Sequence, residues 1–487
     1  MDTQVIFDDD SPREECGVFG IFGTTEASSM TYCGLIALQH RGQESAGIAV
    51  ADGNRIRLKK GMGLVSEVFA PAEMRSLAGH IAVGHVRYST TGTSMASNAQ
   101  PLLVRHRLGQ LAIAHNGNLT NAYDLRKQFE EEGSIFQTTS DTEVIAHLVA
   151  KSRGNSFQDS VVEALRKVEG AYALIAMSAD TLVGARDPFG IRPLSLGRLN
   201  GMWVLASETC ALDAMGAEHV RDIEPGEVVF VDHDGLRSVQ AMEKQGDALC
   251  IFEYIYFARP DSDLEGLNVH AVRKDLGRRL ARLFPVEADL VTGVPDSSVS
   301  AASGFAEEAR IPYEMGLVKN RYIGRTFIQP TQSLREFDVK LKLNPLKRVI
   351  KGKRVVLVDD SIVRGTTMRH IVNLLRDAGA AEVHVRISSP PYRSSCHYGI
   401  DTSSPKELIA STKEVEQIRQ HIGADTLHYL PLEQLLEAVG SGAAGHCLAC
   451  FTGQYPVRVP AGTAKYVFED SGDSAATAGG GGDDGAR

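Results

Sequence analysis

The 487 residues carry 51 Lys and Arg against 61 Asp and Glu, a formal net charge of −10 that speaks against broad nucleic-acid or anionic-membrane binding and leaves room for a local basic pocket. Apolar content of 43% and charged content of 23% are those of a globular protein, with chain enough for roughly two to four domains. No apolar run reaches the roughly 18 residues of a spanning helix, and residues 1–15 lack the basic start and apolar stretch of a secretory signal. Seven cysteines with one Cys-x-x-Cys do not make a disulfide scaffold, so the expected setting is cytoplasmic, with thiols free, catalytic or metal-bound.

In chain order, the first half reads as short strands rich in glycine and β-branched residues: GVFGIF (17–22), AGIAV (46–50), IAVGHV (81–86), AYALIAM (171–177) and EVVFVD (227–232). A helix is expected over TEVIAHLVAK (142–151), opened by Ser140-Asp141-Thr142-Glu143 as a capping box. Strands and helices mixed without strict alternation suggest layered sheets covered by helices. After about residue 265 the pattern changes. A helix-like HAVRKDLGRRLARLF (270–284) leads to the strand ADLVTGV, then to a helix near 298–309, the strand RVVLV, a helix near 366–379, the strand EVHVRI, two short helices and TLHYL. Such βαβ alternation predicts a parallel, doubly wound sheet. The boundary between the halves is expected near 240–265, placed at 250/251. The last residues, EDSGDSAATAGGGGDDGAR, are poor in apolar side chains, and 466–487 read as a disordered tail.

Cys16 stands in EECGVFGIFG, directly before a strand. Alone, such a cysteine is ordinarily a buried structural thiol. Four further segments carry polar groups that read as tight, glycine-flanked turns: QHRGQESAG (39–47), GHVRYSTTG (84–92), HNGNL (115–119) and TSDTE (139–143). Taken in order, these five segments resemble the glutaminase domain of the N-terminal-nucleophile amidotransferases, over about residues 16–240. The resemblance implies a four-layer αββα domain whose nucleophile is a cysteine made N-terminal by cleavage, here at Glu15–Cys16, with 1–15 as a propeptide. An α-amine of pKa about 7.7–8 is a usable base near neutral pH, whereas a lysine near 10.4 is protonated. The resemblance further implies that Arg87 holds the α-carboxylate of glutamine, Asp141 takes its α-ammonium, and the Asn116 amide and Gly117 N–H form the oxyanion hole. Read singly, Asn116-Gly117 is a hairpin turn, Arg87 a surface ion pair and Asp141 the first helical residue behind Ser140.

RVVLVDDSIVRGTT (354–367) is an apolar strand ending in two carboxylates and a Gly/Thr loop that opens a helix, the end of an open sheet at which ligands bind. Adjacent acids repel, so a cation or a diol must offset them. The full string is similar to the fingerprint of the type I phosphoribosyltransferases. This likeness implies that Asp359 and Asp360 face the ribose hydroxyls and Mg²⁺, and that Ser361, Arg364, Gly365, Thr366 and Thr367 wrap the 5′-phosphate. VTGVPDSS (291–298) looks like their pyrophosphate loop, with Ser297 a candidate Mg²⁺ ligand. KNRYIGRTFIQP (319–330) resembles their mobile hood, with Lys319, Arg321 and Arg325 facing pyrophosphate. A glutaminase followed by a phosphoribosyltransferase, over about 12–460, resembles the glutamine phosphoribosylpyrophosphate amidotransferase family. The likeness implies ammonia carried between two sites, glutamate, pyrophosphate and 5-phosphoribosylamine as products, a homotetramer, and inhibition by purine nucleotides. A non-catalytic sensor of phosphoribosyl pyrophosphate is the rival from another class. It would call for a DNA-binding element, and no helix-turn-helix pattern is visible in this acidic chain.

HCLAC (446–450) supplies Cys447 and Cys450 at a chelating spacing that alone fits a redox pair, half a zinc site or chance. Nothing in the spacing of Cys250 and Cys396 predicts that they converge. The contexts CxFEYIYF, SCxYG and CxxC resemble the propeptide-bearing branch of the family, which implies a 4Fe–4S cluster on Cys250, Cys396, Cys447 and Cys450. Cys33 and Cys210 are left to packing.

Overall fold

The structure, a computed structural model, describes residues 16–70, 74, 76–88, 94–320, 343–400, 402, 407–440 and 445–460. The calls on residues 1–15 and 466–487, and on Arg321 and Arg325, lie outside the described residues.

Two antiparallel sheets make the first half. In chain order the strands are β1 (Gly17–Phe22), β2 (Ser45–Ala51), β3 (Ile56–Met62), β4 (Ile81–Arg87), β5 (Leu102–His106), β6 (Gly109–Leu119), β7 (Gly170–Met177), β8 (Leu182–Arg186), β9 (Ser195–Leu199), β10 (Met202–Ala206), β11 (Glu218–Asp222), β12 (Glu227–Asp232) and β13 (Gly235–Gln240). One sheet is ordered β11-β9-β10-β1-β4-β2-β3 and the other β13-β12-β8-β7-β6-β5. Their facing sides share one core. Val18, Phe22 and Val83 from the first sheet pack there with Ala114, Ala173 and Ile175 from the second. Because side chains alternate along a strand, Phe19 and Ile21 of β1 point the other way, under the helix Ala27–Ala37. Helices Ala122–Glu131, Thr142–Lys151 and Phe157–Leu165 cover the outer face of the second sheet. The result is the expected αββα stack. Both faces of the inner strands β1, β2, β4, β7 and β8 are buried, so these read as near-continuous apolar runs.

The second half is a parallel sheet of Leu290–Gly293, Arg354–Asp359, Glu382–Ile387 and Thr426–Tyr429, paired in that order. Helices Val269–Leu283 and Val299–Ala309 cover one face, and Thr366–Asp377 and Val415–Ile422 the other. This is the doubly wound arrangement expected.

The halves are not joined by a loose linker. Leu249–Cys250 forms a short parallel pair with His446–Cys447. The next residues, Glu253–Phe257, make a single π-helical turn in which Glu253, Tyr254, Ile255 and Phe257 are buried. One apolar core runs from Ala171 and Ile191 through this turn to Leu276, Phe305 and Val356. The boundary near 250 is therefore a packed interface.

Two sequence expectations are corrected here. Helix Thr142–Lys151 begins behind Asp141, whose side chain makes no cap bond, while Ser140 Oγ accepts from Thr142 N at 3.3 Å. The Glu143 carboxylate reaches back past Ser140 to accept from Gln137 N (2.9 Å) and Thr138 N (2.8 Å), so the motif is not a reciprocal capping box. Cys33 is exposed, so packing does not account for it, whereas Cys210 is buried.

Candidate active sites

Cys16 is placed by β1. The antiparallel register pairs Gly17 with Val86, so the next rung brings Cys16 beside Arg87 at the end of β4. Cys16 is 6% exposed, and its Sγ donates to the Tyr88 carbonyl at 3.4 Å. Burial pushes the thiol up to about 11, against the pull of the Arg87 guanidinium, while the Glu44 and Asp141 carboxylates push the same way as burial. These charges thus surround the sulfur, and near neutral pH it is a thiol that needs a base.

Asn116 and Gly117 lie within β6 rather than in a turn, opposite Ala173 and Tyr172 of β7. Gly117 has φ +133°, and a Cβ there would fall 2.1 Å from the Ala171 carbonyl oxygen, so only glycine fits. Asn116 is 1% exposed, and among the described residues its Nδ2 has no hydrogen-bond partner. An orphaned buried amide costs about 1–3 kcal/mol, a cost removed when an acceptor arrives. Asp141 is buried at the head of its helix, where Oδ2 accepts from Leu119 N at 2.9 Å and Oδ1 lies 3.8 Å from His115 Nδ1.

The second constellation stands at the carboxyl end of strand Arg354–Asp359. Asp359 and Asp360 are buried at 9% and 4% exposure. Burial raises the Asp360 carboxyl, opposed by hydroxyls of Ser297, Ser361 and Ser298 and by the charge of Arg273. Ser298 Oγ donates to Asp359 Oδ1 at 2.7 Å and Ser361 Oγ to Asp360 Oδ1 at 2.7 Å. Gly365 has φ +83° and caps helix Thr366–Asp377, turning the N–H groups of Thr366 and Thr367 toward the loop. The Arg364 guanidinium contacts Glu407 at 2.7 Å, across the mouth of the loop. Lys319 pairs with Asp296 of the 291–298 loop at 3.6 Å.

Four cysteines lie in one another's neighbourhood at the junction of the halves. Cys250 and Cys447 are register partners, and Cys450 lies one turn on. Burial pushes Cys250, Cys447 and Cys450 up; among the further causes, Cys450 feels Cys250, Cys447 and Cys396, Cys250 feels Cys447 and Cys396, and Cys447 feels Cys396. Cys396 is partly buried, and its Sγ accepts from Tyr398 N at 3.3 Å. Among the described residues, no group of three or more His, Cys, Asp or Glu is arranged to hold a metal ion.

Two family models divide the chain as the fold does: a glutamine amidotransferase domain matches residues 85–214, and a phosphoribosyl transferase domain matches 268–396. The chain is 54% identical over 452 residues to the amidophosphoribosyltransferase of Bacillus subtilis, covering 92% of this chain and 95% of that protein. It is 52% identical over 458 residues to that of Synechococcus elongatus, covering 93% of each. The structure of the B. subtilis glutamine phosphoribosylpyrophosphate amidotransferase complexed with ADP and GMP superimposes with a TM-score of 0.89 at 53% identity, over 93% of this chain and all of that one. The chain belongs to the amidophosphoribosyltransferase family. It is an enzyme of glutamine-dependent amidotransfer to phosphoribosyl pyrophosphate in purine biosynthesis.

Several polar residues of this amidophosphoribosyltransferase fold have no signal in the sequence. Ser298 touches both aspartates although Ser297 is the one expected from the motif. Arg273 reads as one more cation on an amphipathic helix, yet it is 3% exposed and its charge acts on Asp360. Arg41, Glu208 and Glu253 come together from three distant segments and are all buried. Periodicity marks burial only of apolar side chains, so buried ions go unseen.

Proposed function

We propose that Cys16, freed at its α-amine by removal of residues 1–15, attacks the carboxamide of glutamine, which Arg87 and Asp141 hold by its α-carboxylate and α-ammonium. The α-amine takes the thiol proton and passes it to the departing ammonia, and water then hydrolyses the thioester to glutamate. The Asn116 Nδ2 and the Gly117 N–H receive the oxyanion. The observation that carries this reading is Asn116: its amide is buried and orphaned, a donor without a purpose in the resting fold. Ammonia then displaces pyrophosphate at C1 of the ribose to give 5-phosphoribosylamine. In the second site Asp359 and Asp360 hold the ribose hydroxyls, and Ser361, Gly365, Thr366 and Thr367 cradle the 5′-phosphate, with Arg364 at the rim and Lys319, Arg321 and Arg325 toward the pyrophosphate. Two adjacent buried carboxylates fit a divalent cation, so Asp359, Asp360 and Ser297 are the residues we assign to Mg²⁺, whose charge would offset that of the pyrophosphate. Purine nucleotides as inhibitors, a homotetramer and a cytoplasmic setting complete the reading. Among the described residues no helix is long and apolar enough to cross a membrane.

Intact mass and N-terminal sequencing test the nucleophile: active enzyme is expected to begin at Cys16, and an active preparation still carrying residues 1–15 would overturn the assignment.

We assign the 4Fe–4S cluster to Cys250, Cys396, Cys447 and Cys450. A cubane sets one thiolate on each of four irons, which does not require the close shell of a single ion. Burial and the neighbouring sulfurs push these thiols up, so a bound metal centre would be needed to hold them as thiolates. Anaerobically purified protein is expected to be brown, with about four irons per chain. Serine at any of the four should yield insoluble protein, since such a site contributes folding free energy outright, whereas Cys33→Ser should be silent. Stoichiometric zinc without iron would refute the cluster and leave the catalytic reading intact.

A further inference from the structure

Four charged side chains that neither reaction uses are buried together where the two halves meet. Arg41 is 1% exposed, and Glu208, Glu253 and Arg192 are fully buried. Arg41 Nη1 donates to Glu208 Oε1 at 2.6 Å and to Glu253 Oε2 at 2.9 Å, and Nη2 donates to Glu253 Oε1 at 2.7 Å. Its Nε donates to the carbonyl oxygen of Cys16 at 3.1 Å. Every edge of this guanidinium is therefore engaged, and one edge holds the peptide of the nucleophile itself. Glu253 opens the π-helical turn on the transferase side, whereas Arg41 follows the first helix of the glutaminase side.

The same turn is held from behind. Arg273 Nε donates to the Tyr254 carbonyl at 2.7 Å and Nη2 to the Ala258 carbonyl at 2.8 Å, while its charge acts on Asp360. Arg192 stands 3.8 Å from Glu253 and donates to the Tyr398 carbonyl at 2.6 Å, two residues past Cys396. Burying such an ion pair stabilises little compared with an apolar replacement, so stability gives no reason for it here. A bidentate guanidinium–carboxylate pair does fix geometry in two dimensions.

We propose that Glu253, a residue of the transferase side, is a positioning residue for the glutaminase reaction: through the Arg41 fork it sets the carbonyl, and with it the α-amine and thiol, of Cys16. The inference rests on the reading of Cys16 as the nucleophile. The glutaminase half is then competent only while the π-turn is seated between the halves. A displacement of about 1 Å at a reacting group can cost on the order of 10²-fold in rate.

The test uses the processed holoenzyme. Glu253→Gln keeps the shape and loses the charge; Arg41→Lys keeps the charge and loses the fork. Glutamine-dependent synthesis is expected to fall roughly 10- to 100-fold in kcat with KM for glutamine within about threefold, and ammonia-dependent synthesis to stay within about twofold. Alkylation of Cys16 by an electrophilic glutamine analogue should slow in parallel. The double variant should be no worse than the poorer single, because the two residues act as one unit. Should Glu253→Gln fail to fold, Glu253→Asp keeps the charge with a shorter reach and must show the same split. An unchanged glutamine-dependent kcat in any folded variant, or an equal fall of the glutamine and ammonia routes, would overturn the proposal. A Cys16→Ala control that still used glutamine would instead refute the nucleophile, separating the two failures.

Discussion

Cys16→Ala is expected to abolish glutamine-dependent synthesis, by roughly 10⁴-fold or more, while synthesis from high external ammonia survives. The reason is the separation of the chemistries. The thiol sits at the start of β1 in the first half, and the carboxylates at the end of strand Arg354–Asp359 sit in a different sheet. Deleting one buried sulfur leaves a small cavity at a cost on the order of 1 kcal/mol, too little to unfold the domain. Parallel assays with glutamine and with ammonium, at one concentration of phosphoribosyl pyrophosphate, decide it. Loss of both routes would mean that the two sites are not independent. The pH response follows from the same site. Protonation of an α-amine near 7.7–8 should depress the glutamine route as pH falls, because the thiol, raised to about 11, then has no base.

Replacing both Asp359 and Asp360 by Asn should silence both routes, since the anchors proposed for ribose and cation are lost together. The sign of the stability effect separates this from misfolding. Burial raises the Asp360 carboxyl, so its charge opposes folding at neutral pH, and that cost is relieved only as pH falls toward the raised value. Asn should remove the cost, and the variant is expected to melt no lower than the parent. A Tm held or raised with ammonia-dependent turnover gone is the expected pair of readings. Retained turnover would sink the phosphate-cradle assignment.

Much of this architecture is legible in the sequence because apolar side chains report their own burial. The five N-terminal strand strings and TEVIAHLVAK occur where expected, and the βαβ order after residue 265 follows from the alternation of RVVLV and EVHVRI with amphipathic helices. At Gly117 and Gly365 a positive φ accounts for the glycine, while the roles expected of them come from the resemblance alone. The site is illegible where partners are far apart in the chain. The orphaned Nδ2 of Asn116, the contacts of Ser298 and the fork of Arg41 are products of tertiary packing. Glu143 illustrates the limit of local rules, since its carboxylate finds two free N–H groups at Gln137 and Thr138 and leaves the shorter reach to Ser140 unused.

The parallel pair of Leu249–Cys250 with His446–Cys447 also sets a timetable for synthesis. The glutaminase sheets are complete once residue 240 has left the ribosome, and Cys250 N can then donate to the Ile191 carbonyl at 3.0 Å, but the parallel strand partner of 249–250 follows about 200 residues later. At 5–20 residues per second, that partner emerges roughly 10–40 s behind. During this interval the nascent chain carries a finished first half, with the segment leading to residue 253 held from that side alone. A chain that ends before residue 446 would therefore leave the turn at 253–257 without the strand that backs it on the transferase side.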